Sequence, residues 1–425
     1  MSAHALLSPS GAERWMNCPG SLAMERAVGA GDVSSPYADE GTAAHFLASE
    51  ALLEGKEASY YVGRAVLVGD EGATFVESDL NAARAKYTVD YGMASNIQIY
   101  LDMVKDIFEP PPDESSMHVE QILPLSHITG EKDAYGTADV IGFVGSEIVV
   151  VDLKYGMGVK VDAANNKQLL IYALAALDTL GMLASEDIVT ARLVICQPRL
   201  GHVSEDVVSV EELELFRQKV KERAKHALAC LSEKPEALSY HLKPGDKQCR
   251  WCKAKADCGA LYSFAQEEMG VDFENVSAIA SAEKAVSAAT PVELSVKQNA
   301  VGLVEAWCKA VRGKVRDELL SGTPIAGWKL VAGRKGTRAW SDKGIAEVLL
   351  KNMRVPHDRM YDYSVVSPTT AEKLAKENII GPRQWPKIQE LITQSAGEPA
   401  VVSETDKRPA LAITPAHAGF DDLTK

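Results

Sequence analysis

Two acidic residues and a lysine stand where their types and spacing could do chemistry. Asp152 and Lys154 follow the β-branched run from residue 148 to 151, and positions two apart on a strand point to the same face. Asp139 stands on the preceding predicted strand, so strand pairing can bring its carboxylate beside that of Asp152. Two carboxylates suit a hard divalent cation such as Mg²⁺ or Mn²⁺, and metal-bound water can attack a phosphodiester. The pattern predicts metal-dependent hydrolysis, with Lys154 placed to orient the water or to stabilise developing charge.

Further polar residues surround this group in a definite order along the chain. His45 lies on a predicted helix and Glu120 on the first predicted strand. Gln168 and Tyr172 lie one helical turn apart after the strand that ends at Lys154, so they share a helix face. The patterns Gly-x-x-Asp and Asp-x-Lys are each common, and alone each is more often a turn beside a solvated strand end. The order in which all these residues occur along the chain favours a functional site over that common explanation.

With these motifs in this order, the sequence resembles the PD-(D/E)xK nuclease superfamily, specifically its RecB-like branch. The resemblance implies that Asp139 and Asp152 bind the metal together with the backbone carbonyl of Leu153. It also implies that Lys154 is the catalytic lysine and that His45 helps to hold the metal. Asp152 stands where many relatives have Glu, although Asp is common at this position in the RecB-like branch.

The same resemblance assigns roles to the helical pair and to the first strand. Gln168 and Tyr172 match the motif that positions DNA and the active-site loop, so both are predicted catalytic residues. Glu120 occupies a position at which many relatives carry an acidic residue, and it is a candidate acidic helper.

Cysteines form a second group of candidate metal ligands. The chain has 7 of them, too few for a disulfide scaffold, yet Cys249, Cys252 and Cys258 follow one another as C-x₂-C-x₅-C. Three thiolates at this spacing can supply three corners of a tetrahedral metal site, and Cys18, followed by Pro19, is the best candidate for the fourth. We expect the remaining cysteines to be buried core thiols; these are Cys196, Cys230 and Cys308.

The cysteine pattern resembles that of RecB-like nucleases with an iron–sulfur staple, of the AddB and Cas types. In these proteins a lone N-terminal Cys joins a C-terminal C-x₂-C-x₅-C. The resemblance implies a [4Fe–4S] cluster held by Cys18, Cys249, Cys252 and Cys258, which clamps the two ends of the nuclease domain together. The same four thiolates would also accept Zn²⁺, and spacing alone leaves that alternative open.

The charge balance does not exclude nucleic acid as a partner. The net charge is −14, but a binding site needs only a local basic surface. Basic residues beside two tryptophans occur in the segment around residues 328 to 340, and lysine or arginine beside aromatics suits DNA backbone contacts and base stacking. The predicted DNA-contacting residues are Trp328, Arg334, Lys335 and Arg338.

The elements that must position these residues form an α/β protein. We predict a restriction-endonuclease-like core, with a mixed central sheet flanked by helices, an N-terminal helical segment and a C-terminal α+β accessory domain. Helices are expected over residues 43–53 and 81–104, a meander of three strands over 117–153, and a strand–helix–strand unit that ends at residue 197. The predicted domains are a nuclease domain over residues 1–265, an accessory domain over 270–395 and a mobile tail over 396–425.

The sequence therefore predicts a Mg²⁺- or Mn²⁺-dependent deoxyribonuclease, and in particular an exonuclease, in DNA recombination, replication or end processing of the phage type. Its expected partners are DNA and phage single-strand-binding or recombination proteins. The alternative is a catalytically degenerate protein that binds DNA or a replication partner. The N-terminus lacks a signal peptide and no apolar run is long enough to span a bilayer, so we expect a soluble protein in the cytoplasm of a bacterial host cell.

Overall fold

The computed structural model describes residues 5–29, 35–69, 72–76, 85–109, 115–184, 186–269, 290–333, 338–361, 365–393, 397–403 and 408–411. The chain forms two compact units, Met1–Cys308 and Lys309–Lys425. Within the described ranges, no helix is both long and apolar enough to cross a membrane.

The first unit begins with helices and a small antiparallel sheet in the strand order β2-β1-β3. The elements are α1 (Ala12–Asn17), α2 (Ser21–Ala27), α3 (Pro36–Glu54), β1 (Ala65–Gly69), β2 (Gly72–Phe75), β3 (Ala85–Thr88) and α4 (Tyr91–Ile107). This sheet corrects the predicted helix over residues 81–104. Residues 81–84 lie outside the described ranges, β3 pairs with β1, and the helix begins only at Tyr91. Asp90 starts it there, because its Oδ1 accepts a hydrogen bond of 2.7 Å from the N–H of Met93.

A mixed five-stranded sheet forms the centre of this unit, in the order β4-β5-β6-β7-β8. Its strands are β4 (Ser115–Pro124), β5 (Tyr135–Val144), β6 (Glu147–Leu153), β7 (Thr190–Gln197) and β8 (His202–Ser209). The pairs β4–β5, β5–β6 and β7–β8 are antiparallel, whereas β6 and β7 are parallel. A short helix, α5 (Ser126–Thr129), lies between β4 and β5, and the crossover helix α6 (Lys167–Leu180) connects β6 to β7. The structure thus contains the predicted meander and the predicted strand–helix–strand unit, and it adds β8, which the sequence analysis missed.

Helices cover both faces of the sheet, as predicted. Alternate residues of β6 enter two different cores: Ile148 and Val150 pack toward α6 and the helix α7 (Val210–Cys230). Val149 and Val151 pack on the other face toward α3 and α4. Every second side chain of a strand points to the same face of the sheet. A strand that is apolar throughout, such as β6, can therefore be buried on both faces.

Short helices follow α7. They are α8 (Pro235–Leu238), a 3₁₀ segment (Ser239–His241), α9 (Asp246–Arg250) and α10 (Gly259–Met269), and the 30-residue helix α11 (Pro291–Leu320) comes after them. The compact unit extends beyond the predicted domain end at residue 265, because Leu303 on α11 packs with Cys249 and Leu261 in a small apolar cluster.

The second unit, Lys309–Lys425, combines two-stranded sheets with short helices. Its elements are β9 (Trp328–Gly333), β10 (Ala339–Trp340), α12 (Lys343–Asn352), α13 (His357–Met360), α14 (Pro368–Lys376), α15 (Trp385–Gln389), β11 (Ile392–Thr393) and β12 (Gly397–Ser403). Trp340 is buried in the core of this unit, and its ring N–H donates to the carbonyl of Val366 at 2.9 Å. Strand β12 pairs with β9. The part of the predicted mobile tail (396–425) that forms β12 therefore lies in a sheet.

Candidate functional site

Three acidic residues lie at the same level on three adjacent strands. The last paired residues of β5 and β6 at this end are Val140 and Val151, and Asp139 and Asp152 come directly after them. Glu120 on β4 lies opposite Asp139 in the β4–β5 register, between the pairs formed by its two sequence neighbours. Like charges that face each other across strands weaken the pairing. The pairing of β5 with β6 ends at this point, whereas β4 and β5 pair again at Gln121 and Ala138.

Glu120 has an unusual backbone conformation. Its φ is +50°, in the left-handed region that non-glycine residues rarely adopt. The residue lines an open cavity of about 180 Å³ together with His45, Tyr100 and Asp139. Partial loss of hydration and the negative charge of Asp139 raise the pKa of Glu120 to about 7, against the opposing effect of His45.

Asp139 is held by an imidazole and by a backbone amide. Its Oδ1 lies 3.1 Å from Nδ1 of His45 on α3, and its Oδ2 accepts a hydrogen bond of 2.8 Å from the N–H of Leu153. Burial alone would raise the pKa of Asp139, but His45, the Leu153 amide and Lys154 together hold it below its usual value. The pKa of His45 is raised, because the charge of Asp139 outweighs the effect of burial.

Asp152 belongs to a closed triad with Lys154 and Gln168. Gln168 donates a hydrogen bond of 2.7 Å to Oδ1 of Asp152, and Nζ of Lys154 lies 2.8 Å from Oδ2. The same Nζ donates to Oε1 of Gln168 at 3.0 Å. Burial raises the pKa of Asp152 although Lys154 opposes this. Burial alone would lower the pKa of Lys154, but the charges of Asp152 and Asp139 raise it, so the ammonium form is the one favoured at neutral pH.

Tyr172 lies one turn after Gln168 on α6 and is buried. Its ring edge packs close to Gly136: a Cβ at that glycine would come within 3.1 Å of Cε1 of Tyr172. Burial, followed by the charges of Asp152 and Asp139, raises the pKa of Tyr172. The aromatic ring therefore shapes the wall beside the carboxylates, and the glycine of the Gly-x-x-Asp motif makes room for it.

Tyr100 is a site residue that the sequence analysis missed. It lines the cavity with Glu120 and Asp139, and its buried hydroxyl has no hydrogen-bond partner among the residues that the structure describes. Burial raises the pKa of Tyr100 well above its usual value. Its place in the apolar stripe of α4 gave no signal, because an aromatic residue at such a position is normally a plain core residue.

The donor set formed by residues of this cavity and by the neighbouring Asp152 suits a hard divalent cation. The carboxylates of Asp139 and Asp152, the carbonyl of Leu153 and the imidazole of His45 are the groups that could hold it, with Glu120 beside them. Oδ2 of Asp152 is buried and accepts no well-aligned hydrogen bond from any described residue, so it retains ligand capacity beside its ion pair with Lys154. Within the described ranges, His45, Asp139 and Asp152 do not bring three ligand atoms within 4.8 Å of one another, since Asp152 is turned toward Lys154 and Gln168.

All four cysteines of the predicted cluster line a second open cavity, of about 340 Å³. Cys18 follows α1 and Cys249 lies on α9, while Cys252 and Cys258 follow in the next turns. Backbone N–H groups point at the sulfurs: that of Lys243 lies 3.3 Å from Sγ of Cys18. The N–H of Gly245 lies 3.5 Å from Sγ of Cys249. Such bonds are typical of thiolates that bind a metal centre.

The spacing and burial of these thiols bear on which metal centre they fit. Burial raises the pKa of Cys18 to about 11 and that of Cys252 to about 12, so without a metal they remain protonated at neutral pH. One zinc ion would hold its sulfurs about 3.8 Å apart. Among the described residues, no three of the four Sγ atoms lie within 4.8 Å of one another. The four thiols are therefore spaced more widely than the ligands of one zinc ion.

The predicted DNA-contacting residues lie in the second unit. Trp328 is 49% exposed at the start of β9. Arg338 forms an ion pair with Glu372 and donates to Oγ1 of Thr369 at 3.3 Å, so part of its hydrogen-bonding capacity is already used. Arg334 and Lys335 lie outside the residues that the structure describes.

Fold and site together define a mixed α/β protein whose five-stranded central sheet carries a carboxylate–lysine cluster where two strands separate. Residues 4–409 match the family described as protein of unknown function, DUF2800, and the chain belongs to this family.

Proposed function

We propose that this protein is a Mg²⁺- or Mn²⁺-dependent deoxyribonuclease with a restriction-endonuclease-like core. It hydrolyses DNA phosphodiester bonds as an exonuclease in phage-type recombination, replication or end processing. One observation carries the proposal. Carboxylates on three adjacent strands meet at one level, and the closed triad of Asp152, Lys154 and Gln168 fixes an ammonium group beside them.

The side chains of the triad suit work on a phosphate group. Nζ of Lys154 has three N–H donors, of which one faces Asp152 and one faces Gln168. The third is available to an oxygen of the scissile phosphate or to the attacking water. Gln168 orients both partners at once through the two ends of its amide. A divalent cation held by Asp139 and Asp152 would supply charge neutralisation and a more acidic water.

The four cysteines support a structural [4Fe–4S] cluster, with Zn²⁺ as the alternative. A cluster bound there would join Cys18, near the start of the chain, to the segment that follows α7, and so would hold α1 against α9. The spacing of the thiols favours iron and sulfide over one zinc ion. The N–H groups directed at Cys18 and Cys249 suit thiolate ligands of either centre.

The activity test uses the full-length chain on end-labelled single- and double-stranded DNA, with Mg²⁺ or Mn²⁺ and with EDTA. We expect cleavage that requires the divalent cation and is lost in Lys154→Ala and Asp152→Ala. Matched controls are Lys132→Ala and Asp133→Asn, at a lysine and an aspartate that are 92% and 87% exposed. The order in which labelled products appear reports whether cleavage starts at an end.

Two outcomes would count against the proposal. Full cleavage by Asp152→Ala would place the active site elsewhere. DNA binding by the wild-type protein without any cleavage, in both metals, would favour the alternative of a catalytically degenerate DNA-binding protein.

A further inference from the structure

Three metal-ligating side chains meet outside both predicted sites, at the C-terminal end of α7. His226 and Cys230 lie one turn apart on α7, and His241 ends the 3₁₀ segment that follows α8. One ligand atom from each lies within 4.8 Å of the other two. A tetrahedral zinc ion, with bonds of about 2.1 Å to nitrogen and 2.3 Å to sulfur, holds such atoms about 3.4–3.6 Å apart. The ligand atoms therefore have to move by at most about an ångström to reach that spacing.

The two imidazoles face each other through ring nitrogens. Nε2 of His226 lies 2.9 Å from Nδ1 of His241, and the rings are nearly perpendicular. At this distance a proton or a cation must lie between the two lone pairs. Without a metal, one ring N–H fills this place. A change of tautomer in the histidine that donates this N–H moves its proton to the outer nitrogen and frees both lone pairs without changing the charge of either ring.

Both kinds of ligand suit a borderline transition metal. Burial and the neighbouring His241 lower the pKa of His226, so its ring is neutral at pH 7, the form that binds metals. Cys230 is buried against Ala23 and Leu238, and burial raises the pKa of its thiol. One thiol with two imidazoles favours zinc over magnesium or calcium, which prefer oxygen ligands.

His241 is held in place by the turn that follows Cys18. The N–H of Gly20 donates to the carbonyl of His241 at 3.1 Å. A Cβ at Gly20 would come within 3.3 Å of the His241 carbonyl carbon and 3.1 Å of Leu242, so the close approach depends on glycine. The third ligand is therefore positioned by backbone contacts before any metal binds.

We propose that His226, Cys230 and His241 form a structural zinc site, with water as the fourth ligand, which joins the end of α7 to the segment that leads into the four-cysteine cavity. When Zn²⁺ binds, the Cys230 thiol becomes a thiolate and releases one proton to solvent, and the histidine that donated the N–H between the rings changes tautomer. This site is separate from the proposed nuclease site, so the zinc proposal does not depend on nuclease activity.

The first test counts zinc in the full-length chain after equilibration with Zn²⁺ and removal of excess metal. We expect the wild type to retain one zinc per chain more than His226→Gln, His241→Gln and Cys230→Ser. His357→Gln, which changes an exposed histidine of the second unit, should retain the wild-type amount. Cys249→Ser should leave the difference between wild type and His226→Gln unchanged, because it removes a ligand of the other cavity. Equal zinc in the wild type and in folded His226→Gln and His241→Gln would overturn the proposal.

A second measurement needs no variant and so is unaffected by any loss of folding. X-ray absorption at the zinc edge of the zinc-loaded wild type reports the ligand atoms directly. Imidazole scattering together with sulfur is expected. A spectrum with sulfur ligands alone, as from zinc in the four-cysteine cavity, or with oxygen ligands alone, would show that the histidine–cysteine site does not bind zinc.

Discussion

The side-chain amide of Gln168 donates a hydrogen bond of 2.7 Å to Oδ1 of Asp152 and accepts one of 3.0 Å from Lys154. The position of Gln168 is set by the start of α6, where the side chain of Asn166 accepts hydrogen bonds from the N–H groups of Gln168 and Leu169. The start of α6 therefore fixes how the Asp152 carboxylate and the Lys154 ammonium group are oriented relative to each other at the end of β6.

Removal of this amide should lower activity without unfolding the protein. In Gln168→Ala, Lys154 and Asp152 keep their ion pair but lose the group that orients both. We expect cleavage of labelled DNA to fall by roughly 10–100-fold, the usual effect of losing a group that orients a metal ligand. Gln218→Ala, at an exposed glutamine of α7, is the control. Unchanged cleavage by Gln168→Ala would mean that the triad does not act on the substrate.

Glu120 should make the folded state less stable as pH rises. Its pKa is raised from 4.5 to about 7, so the folded protein holds this proton more tightly than the unfolded chain does. The resulting contribution to stability is complete below about pH 4.5 and is lost as pH rises through about 7. Glu120→Gln removes it.

The comparison is made by thermal unfolding in EDTA at about pH 5 and about pH 8. The melting temperature of Glu120→Gln should fall less over this interval than that of the wild type. Glu109→Gln, at an exposed glutamate, should follow the wild type. Parallel curves for Glu120→Gln and wild type would show that this carboxyl has no raised pKa.

Cys18 should be required for the metal centre although it lies far along the sequence from the other three cysteines. We expect anaerobically purified wild type to be brown and to contain iron with acid-labile sulfide. Cys18→Ser should lose most of both, whereas Cys308→Ser, a half-buried cysteine elsewhere, should keep them. Colourless wild-type protein with bound zinc but no iron would select the zinc alternative.

Gly142 is required by the close approach of two strands and a helix. A Cβ at this position would lie 1.8 Å from the carbonyl oxygen of Ser116 and 2.8 Å from the ring of Phe108. Gly142→Ala must displace β4, so we expect a loss of about 3 kcal/mol in the free energy of unfolding. Gly302 lies in the interior of α11, and a Cβ at this position would have no heavy atom from outside its own helix turn within 4 Å. Gly302→Ala should therefore be stabilising by roughly 0.5–1 kcal/mol. Chemical denaturation of both variants measures the difference, and a Gly142→Ala variant as stable as wild type would contradict this packing.

The local pattern of the sequence was enough to predict the central elements. The β-branched run before Asp152 and the apolar helix after Asn166 each follow from short-range periodicity and caps, and the structure has both. The same local logic failed for residues 85–88, which form β3 rather than a helix, because pairing with β1 outweighs the intrinsic preference of so short a segment.

The sequence by itself determined which residue types stand at the ends of the strands and which cysteines are close in the chain. Only the tertiary structure decided that Glu120, Asp139 and Asp152 lie at one level, because strand register depends on partners distant in sequence. It also decided that His241 meets His226 and Cys230, a contact between two elements that no spacing rule predicts. Chemistry here depends on distances of a few ångströms between residues far apart in the chain, and only the packing of the elements sets these distances.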